Sequence, residues 1–314
     1  MKKFLTLAFA FVFMTGVAFA QDNTATVDQE GNDDEATVEQ LGAENEATVY
    51  QEEGGSGARF SVASIEQVGN GNYASQSQRV WSAHNTLTAT IEQRGDENHA
   101  EQSQNSGSSS QVSIIQVGDE NEAYQSQNLT YGGAYGSIEQ TGDDNYAAQT
   151  QTGASTASIV QSGSDDHTQV QEGDGNSAEV RSFGGSNEGI QEQFGDGNTS
   201  QLNQSGGFFA RMTQDGDDNV ARLRQAGGSG SEATIDQYGT GNTVGVDQQG
   251  SNNMLTVDQD GTGNTAGSIW WSGEAGILQD GNANAATLMQ SGVGHDASIM
   301  QMGNSNTATI TQSN

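Results

Sequence analysis

Side chains able to act as acids, bases or metal ligands are abundant in this 314-residue chain, which holds 41 Asp and Glu residues. Their spacing does not gather them. The four histidines, His84, His99, His167 and His295, are far apart and share no ligand spacing, so surface or turn positions are expected for all of them. There is no Cys to supply a thiolate nucleophile or ligand, and Gly-x-Ser-x-Gly does not occur. The acidic, glycine-rich turns do not fit a calcium-binding nonapeptide repeat, which needs Gly-Gly-x-Gly-x-Asp at a fixed, shorter period. No catalytic residue, metal site or cofactor is expected. What recurs instead is the primary amide, which carries two donors and an acceptor and can hydrogen-bond to copies of itself.

Gln-x-Gly recurs from Gln29 to Gln301, with many of the glutamines about eleven residues apart. Between them run units such as Asn45-Glu46-Ala47-Thr48-Val49-Tyr50-Gln51 and Asn306-Thr307-Ala308-Thr309-Ile310-Thr311-Gln312. Tandem self-similarity of this kind marks an architecture in which no unit buries its apolar face alone, so the units must stack. An eleven-residue period fits either a right-handed coiled coil or a strand–turn–strand solenoid. Glycine decides between them. Every repeat carries at least one, as in Gly195-Asp196-Gly197-Asn198, and each would cost a helix roughly 1 kcal/mol. The intervening segments alternate polar residues with Ala, Val and Ile, which is the strand signature. An all-β chain is predicted.

Parity locates the turns. Asn45, Ala47, Val49 and Gln51 are two apart and share one face of a strand. Because eleven is odd, an unbroken strand would send Gln40 and Gln51 to opposite faces. A turn at Gly42-Ala43-Glu44-Asn45 must intervene, where Gly tolerates positive φ and Asn bonds its own turn. From Gln51 to Gln151 the Gln-to-Gln spacings run 16, 11, 15, 11, 12, 11, 13, 11. Only the fixed arcs carry Gly-x-x-Asn, at Gly69–Asn72, Gly95–Asn98, Gly118–Asn121 and Gly142–Asn145. This predicts a two-arc β-solenoid of stacked strand–turn–strand repeats over residues 21–314, with about thirteen rungs. Arcs at 52–60, 79–86 and 267–278 are irregular, and Trp270 and Trp271 stand where a Gln is expected; packing is the role expected of them.

In such a stack, identical residues lie above one another at the ~4.8 Å strand spacing, and inward amides can form ladders along the axis while Ala, Val and Ile fill a dry interior. Gln67, Gln93, Gln116 and Gln140 are expected to form one ladder. Asn72, Asn98, Asn121 and Asn145 form the next, and Gln78, Gln104, Gln127 and Gln151 a third. Gly69, Gly95, Gly118 and Gly142 are the turn glycines.

Composition narrows the setting. Lys2 and Lys3 precede an apolar run from Phe4 to Val17, and Ala18-Phe19-Ala20 offers a small-residue cleavage site. Residues 1–20 are thus expected to be a secretory signal peptide. Without them the chain keeps seven arginines against 41 acids, a formal charge of 7 − 41 = −34. Nucleic acid is excluded as a partner by that balance, and membrane insertion is not expected. Low hydrophobicity with high charge favours disorder, but strict periodicity and the absence of Pro suit a backbone that donates every ladder bond.

Ser61-x5-Gln67-x-Gly69-x2-Asn72-x-Ala74-x3-Gln78 and Ser110-x5-Gln116-x-Gly118-x2-Asn121-x-Ala123-x3-Gln127 match the curlin repeat pattern in full. The units around Gln93 and Gln140 match except that Leu87 and Ala134 replace Ser. Over nearly all of residues 23–312 the chain resembles the curli fibre subunits of bacteria. The resemblance implies a secreted, extracellular protein that assembles into amyloid fibres of the cell surface and biofilm matrix. It implies other copies of the same chain as partners, with a nucleator subunit and an outer-membrane secretion pore. One departure is that Asn23-Thr24-Ala25-Thr26-Val27-Asp28-Gln29 is already a repeat unit where such subunits carry a pore-targeting segment.

Two further expectations concern growth. With no Pro, no Lys after residue 3 and repeats running to within two residues of Asn314, the terminal rungs lack the usual protection of edges, and head-to-tail addition of copies is expected. Outward acids before the inward glutamines, Glu66, Glu92, Glu139, Asp236, Asp247 and Asp258, are expected to act as gatekeepers that keep the chain soluble. The alternative is a soluble β-solenoid binding module, an adhesin or an ice-binding protein, which would want outward Thr-x-Thr in successive rungs.

Overall fold

The computed structural model describes residues 22–31, 33–54, 60–81, 85–106, 108–129, 132–267 and 276–314. The expected signal segment, His84, Trp270 and Trp271 lie outside the described residues. Among the described residues the fold is all-β: 25 strands in a parallel β-solenoid of about 12 turns, beside the thirteen expected. The chain forms two compact units, one up to Ala154 and one from Ser155.

In the first unit the strands alternate between two sheets. One sheet stacks Thr24–Glu30, Glu46–Glu53, Tyr73–Val80, His99–Ser106, Glu122–Leu129 and Tyr146–Thr152. The other stacks Glu35–Leu41, Phe60–Val68, Thr86–Arg94, Ser110–Val117 and Tyr135–Thr141. All pairings are parallel and like residues meet: Ala74 lies beside Ala100, Gln76 beside Gln102 and Gln78 beside Gln104. Register is fixed because each strand hides one face; Ala63, Ile65 and Gln67 are buried and the residues between them are half-buried. The core is the slit between the sheets, filled by columns such as Ile65, Ile91, Ile114 and Ile138.

The second unit repeats the plan with smoother corners. Thr199–Asp217 and Val220–Thr240 each run through a corner and contribute to both sheets, with register shifts at Ser205/Gly206 and Gly207/Phe209. Gln171, Gln193, Gln214, Gln237, Gln259, Gln290 and Gln312 follow one another up one sheet in register.

Candidate functional site

The turns set the geometry of the stack. Gly69, Gly95, Gly118 and Gly142 have φ of 131°, 127°, 122° and 99°, the left-handed half of the map that Gly enters without steric cost. The stacking is tight there as well: a Cβ on Gly95 would collide with the carbonyl oxygen of Gly118, and one on Gly118 with that of Gly142. Two residues after Gly95, Gly118 and Gly142, Glu97, Glu120 and Asp144 sit at φ 58°, 57° and 58°, so these three turns carry a second left-handed position without Gly, whereas the Gly69 turn fills it with Gly71 at φ 66°.

Held this way, the inward amides meet. Gln67 Nε2 donates to Gln93 Oε1 at 2.9 Å, Gln93 to Gln116 at 2.9 Å and Gln116 to Gln140 at 2.9 Å. In the facing sheet Gln78 donates to Gln104 at 2.9 Å, Gln104 to Gln127 at 3.2 Å and Gln127 to Gln151 at 2.8 Å. The second proton of most of these amides is used across the core. Gln93 Nε2 donates to Tyr73 O at 2.9 Å, and Gln116 Nε2 to His99 O at 3.1 Å. One side chain therefore ties a rung to its neighbour and one sheet to the other.

The asparagines run the other way. Asn98 Nδ2 donates to Asn72 Oδ1 at 3.0 Å, Asn121 to Asn98 at 3.0 Å and Asn145 to Asn121 at 2.8 Å. Asn98 Nδ2 also donates to Gly118 O at 2.8 Å, and its Oδ1 accepts the Asn121 N–H at 3.1 Å. The Gln columns donate toward higher residue numbers and the Asn columns toward lower. Each bond adds about 1 kcal/mol net, whereas a buried amide left without partners costs about 1–3 kcal/mol.

A fourth column was missed by the sequence reading. Gln76, Gln102, Gln125 and Gln149 are buried and linked by bonds of 2.9 Å each. The signal was present: Gln-x-Gln stands at 76–78, 102–104, 125–127 and 149–151, and residues two apart must share the inward face.

The outward acids are not a single file. Glu66 and Glu92 are half-buried and in register, with Arg94 ion-paired to both. Asp236 and Asp258 are in register without an arginine between them; burial first, then Asp236 and Asp260, pushes the Asp258 carboxyl above the ordinary aspartate range. Asp247 pairs with Arg224 at 3.1 Å, and Glu139 is exposed beside Ile115.

His99 is half-buried, with its ring stacked on Tyr73 at 4.6 Å between centroids and tilted against Tyr124 at 5.4 Å. His295 is half-buried in a turn. His167 corrects the expectation of a surface or turn position: it is wholly buried in the strand Asp166–Glu172. The arc from Gln161 to Gln171 is one residue short of eleven, so Asp165 falls in the Asn column and His167 in the column that holds Ala elsewhere. Asn187 Nδ2 accordingly donates to Asp165 Oδ1 at 2.9 Å.

These observations define a class: a parallel β-solenoid whose rungs are joined by buried amide ladders. The model of the curlin associated repeat matches the chain at residues 20–52, 209–239, 228–261 and 281–313, segments built from short arcs of nearly equal length. Those segments of the chain are curlin-associated repeats. No curated protein matches it.

Proposed function

We propose that this protein is a secreted structural subunit that assembles copy on copy into curli-like amyloid fibres of the cell surface and biofilm matrix. The observation that supports this most is that its bonding is satisfied along one direction. The strand pairings described above are parallel, and from Gln67 to Gln151 and from Gln171 to Gln312 the glutamine columns repeat the same donor and acceptor from rung to rung. A further copy can continue that pattern with no new chemistry. The strands Thr24–Glu30 and Thr307–Ser313 present it: Val27, Gln29, Ala308, Ile310 and Gln312 are half-exposed, whereas the equivalent Val49, Gln51, Ala286, Leu288 and Gln290 are buried. A nucleator subunit and an outer-membrane pore are the partners such a subunit would need, and the outward acids would hold the exported chain apart until it reaches them.

The binding-module alternative gains little from the surface. Thr234, Thr256, Thr287 and Thr309 form one outward file, but the flanking files read Glu232, Met254, Ala285 and Asp236, Asp258, Met289, so no double Thr-x-Thr array forms. The test is assembly of purified residues 21–314 after release from denaturant, followed by thioflavin fluorescence with and without sonicated seeds. Seeds should abolish the lag. A β-rich monomer that ignores seeds would favour the binding module.

A further inference from the structure

Residues 161–204 contain a repair in the amide ladder. Gln161 is in register with Ser182, and Ser182 with Gln204, so one glutamine of the column is missing. The Ser182 side chain is too short to span two rungs, and its buried Oγ has no hydrogen-bond partner. His167 reaches in from the facing sheet and fills the break. Gln161 Nε2 lies 2.8 Å from His167 Nδ1, and His167 Nε2 lies 2.8 Å from Gln204 Oε1. Room for the ring comes from Gly189, in register with His167; a Cβ there would stand 2.7 Å from Leu202 Cδ2 and 2.8 Å from His167 Nε2. Ser182, His167 and Gly189 thus act as one compensated set.

The neighbours assign the tautomer. The Gln161 amide nitrogen also donates to Asp165 O at 3.1 Å, so it is the nitrogen, not the oxygen, that faces the ring, and Nδ1 accepts. Gln204 Nε2 donates to Gln225 Oε1 at 2.9 Å, so its oxygen faces the ring and Nε2–H donates. The neutral imidazole therefore relays the ladder with its polarity intact. A second proton would set Nδ1–H against the Gln161 N–H. Relief requires the Gln161 amide to turn over, which surrenders its bond to Asp165 O.

We propose that His167 is a proton-operated latch: neutral, it closes the amide ladder between Gln161 and Gln204, and protonated, it opens the ladder at that rung. The titratable groups around it are few. Asp165, in the turn before its own strand, is the charged group whose field reaches the ring and favours the proton. Asp166 and Glu188 are exposed on the outward faces of its own strand and of the neighbouring one. Gln161, Ser182, Gln204 and Leu202 are neutral. Burial dominates and holds the ring below the ordinary histidine range. The proposal rests on the fold alone and stands or falls independently of fibre assembly.

Amide hydrogen exchange of the full chain tests it. Between about pH 7.5 and about pH 5, where the opened, solvated ring takes up a proton that the buried ring resists, protection corrected for intrinsic rates should fall about tenfold in Thr156–Ser162, Asp166–Glu172 and Glu188–Phe194. Thr86–Arg94 and His99–Ser106 should not follow. The combined change His167→Ala, Ser182→Gln and Gly189→Ala restores the repeat and should remove the difference. The ring ¹⁵N shifts of the unmodified chain give a second reading, with a single proton on Nε2 expected at about pH 7.5. Exchange in the three strands that ignores pH, or that responds equally in the restored variant, overturns the proposal. So does a ring doubly protonated at about pH 7.5.

Discussion

The two units solve the same packing problem with different strictness. In the first, four amide columns rise without a missing member across Gln67 to Gln140, Gln76 to Gln149, Gln78 to Gln151 and Asn72 to Asn145. In the second, the column that begins at Gln161 loses a member at Ser182 and regains it from His167, while Gln171 to Gln312 is uninterrupted. The difference teaches what the ladder requires. It does not require glutamine at each step, but it does require a polar group of the right reach and polarity, and space for it. A column of identical residues meets that condition by repetition; the second unit meets it once by three coordinated changes.

The comparison can be broken hardest at the turns. Gly118→Ala forces a Cβ into the Gly142 carbonyl at φ 122° and should cost about 3 kcal/mol or more. Gly241→Ala, at φ 68° with nothing within 4 Å of the added carbon, should cost only about 1 kcal/mol. Denaturant midpoints of the two variants test this; equal losses would mean that stacking distance does not set the glycine requirement. Next comes the ladder itself. Gln93→Leu removes the Oε1 acceptor that Gln67 uses along the ladder and the amide donor shared by Gln116 Oε1 and the Tyr73 carbonyl, and should cost about 2–4 kcal/mol. Ser182→Ala removes an oxygen that already has no hydrogen-bond partner and should lie within about 0.5 kcal/mol of the parent. A Ser182→Ala loss as large as that of Gln93→Leu would show that the ladder bonds are not what separates the two sites.

Much of this was legible in the sequence, for identifiable reasons. Strand rather than helix followed from a glycine in every unit, and the alternation of arcs followed from the constant spacing after Gln67, Gln93, Gln116 and Gln140. The facing of Gln67 toward Gln93 needed only parity and an unbroken register. His167 was not legible, because a lone histidine carries no period and its placement depends on an arc shortened by one residue. The available clue was the missing glutamine at Ser182, which left a partner to be found. The Gln76 column was legible and overlooked. The ion pairs of Arg94 and Arg224 were not, since the outward arginines follow no repeat.

The smallest effect is electrostatic, and it sharpens the contrast between inward and outward positions. Asp258 has a folded value raised above its unfolded one, so its contribution is fully present below the unfolded carboxylate value and is lost as pH rises through the folded value. His167 has a folded value lowered below its unfolded one, so its contribution is present above the unfolded histidine value and is lost as pH falls through the folded one. Asp258→Asn should therefore raise stability at neutral pH by less than about 1 kcal/mol and flatten the acid side of the stability profile, leaving the histidine response in place. A variant whose stability is unchanged at neutral pH and keeps the parent profile would remove Asp236 and Asp258 from the account.

The central claim is that the rung-to-rung bonding inside one chain continues between chains. X-ray diffraction from aligned fibres grown from residues 21–314 addresses it most directly. A strong meridional reflection near 4.8 Å, with strands perpendicular to the fibre axis, is the predicted result. Aligned fibres without that reflection would contradict it, because copies would then be joining by some surface other than their strand edges.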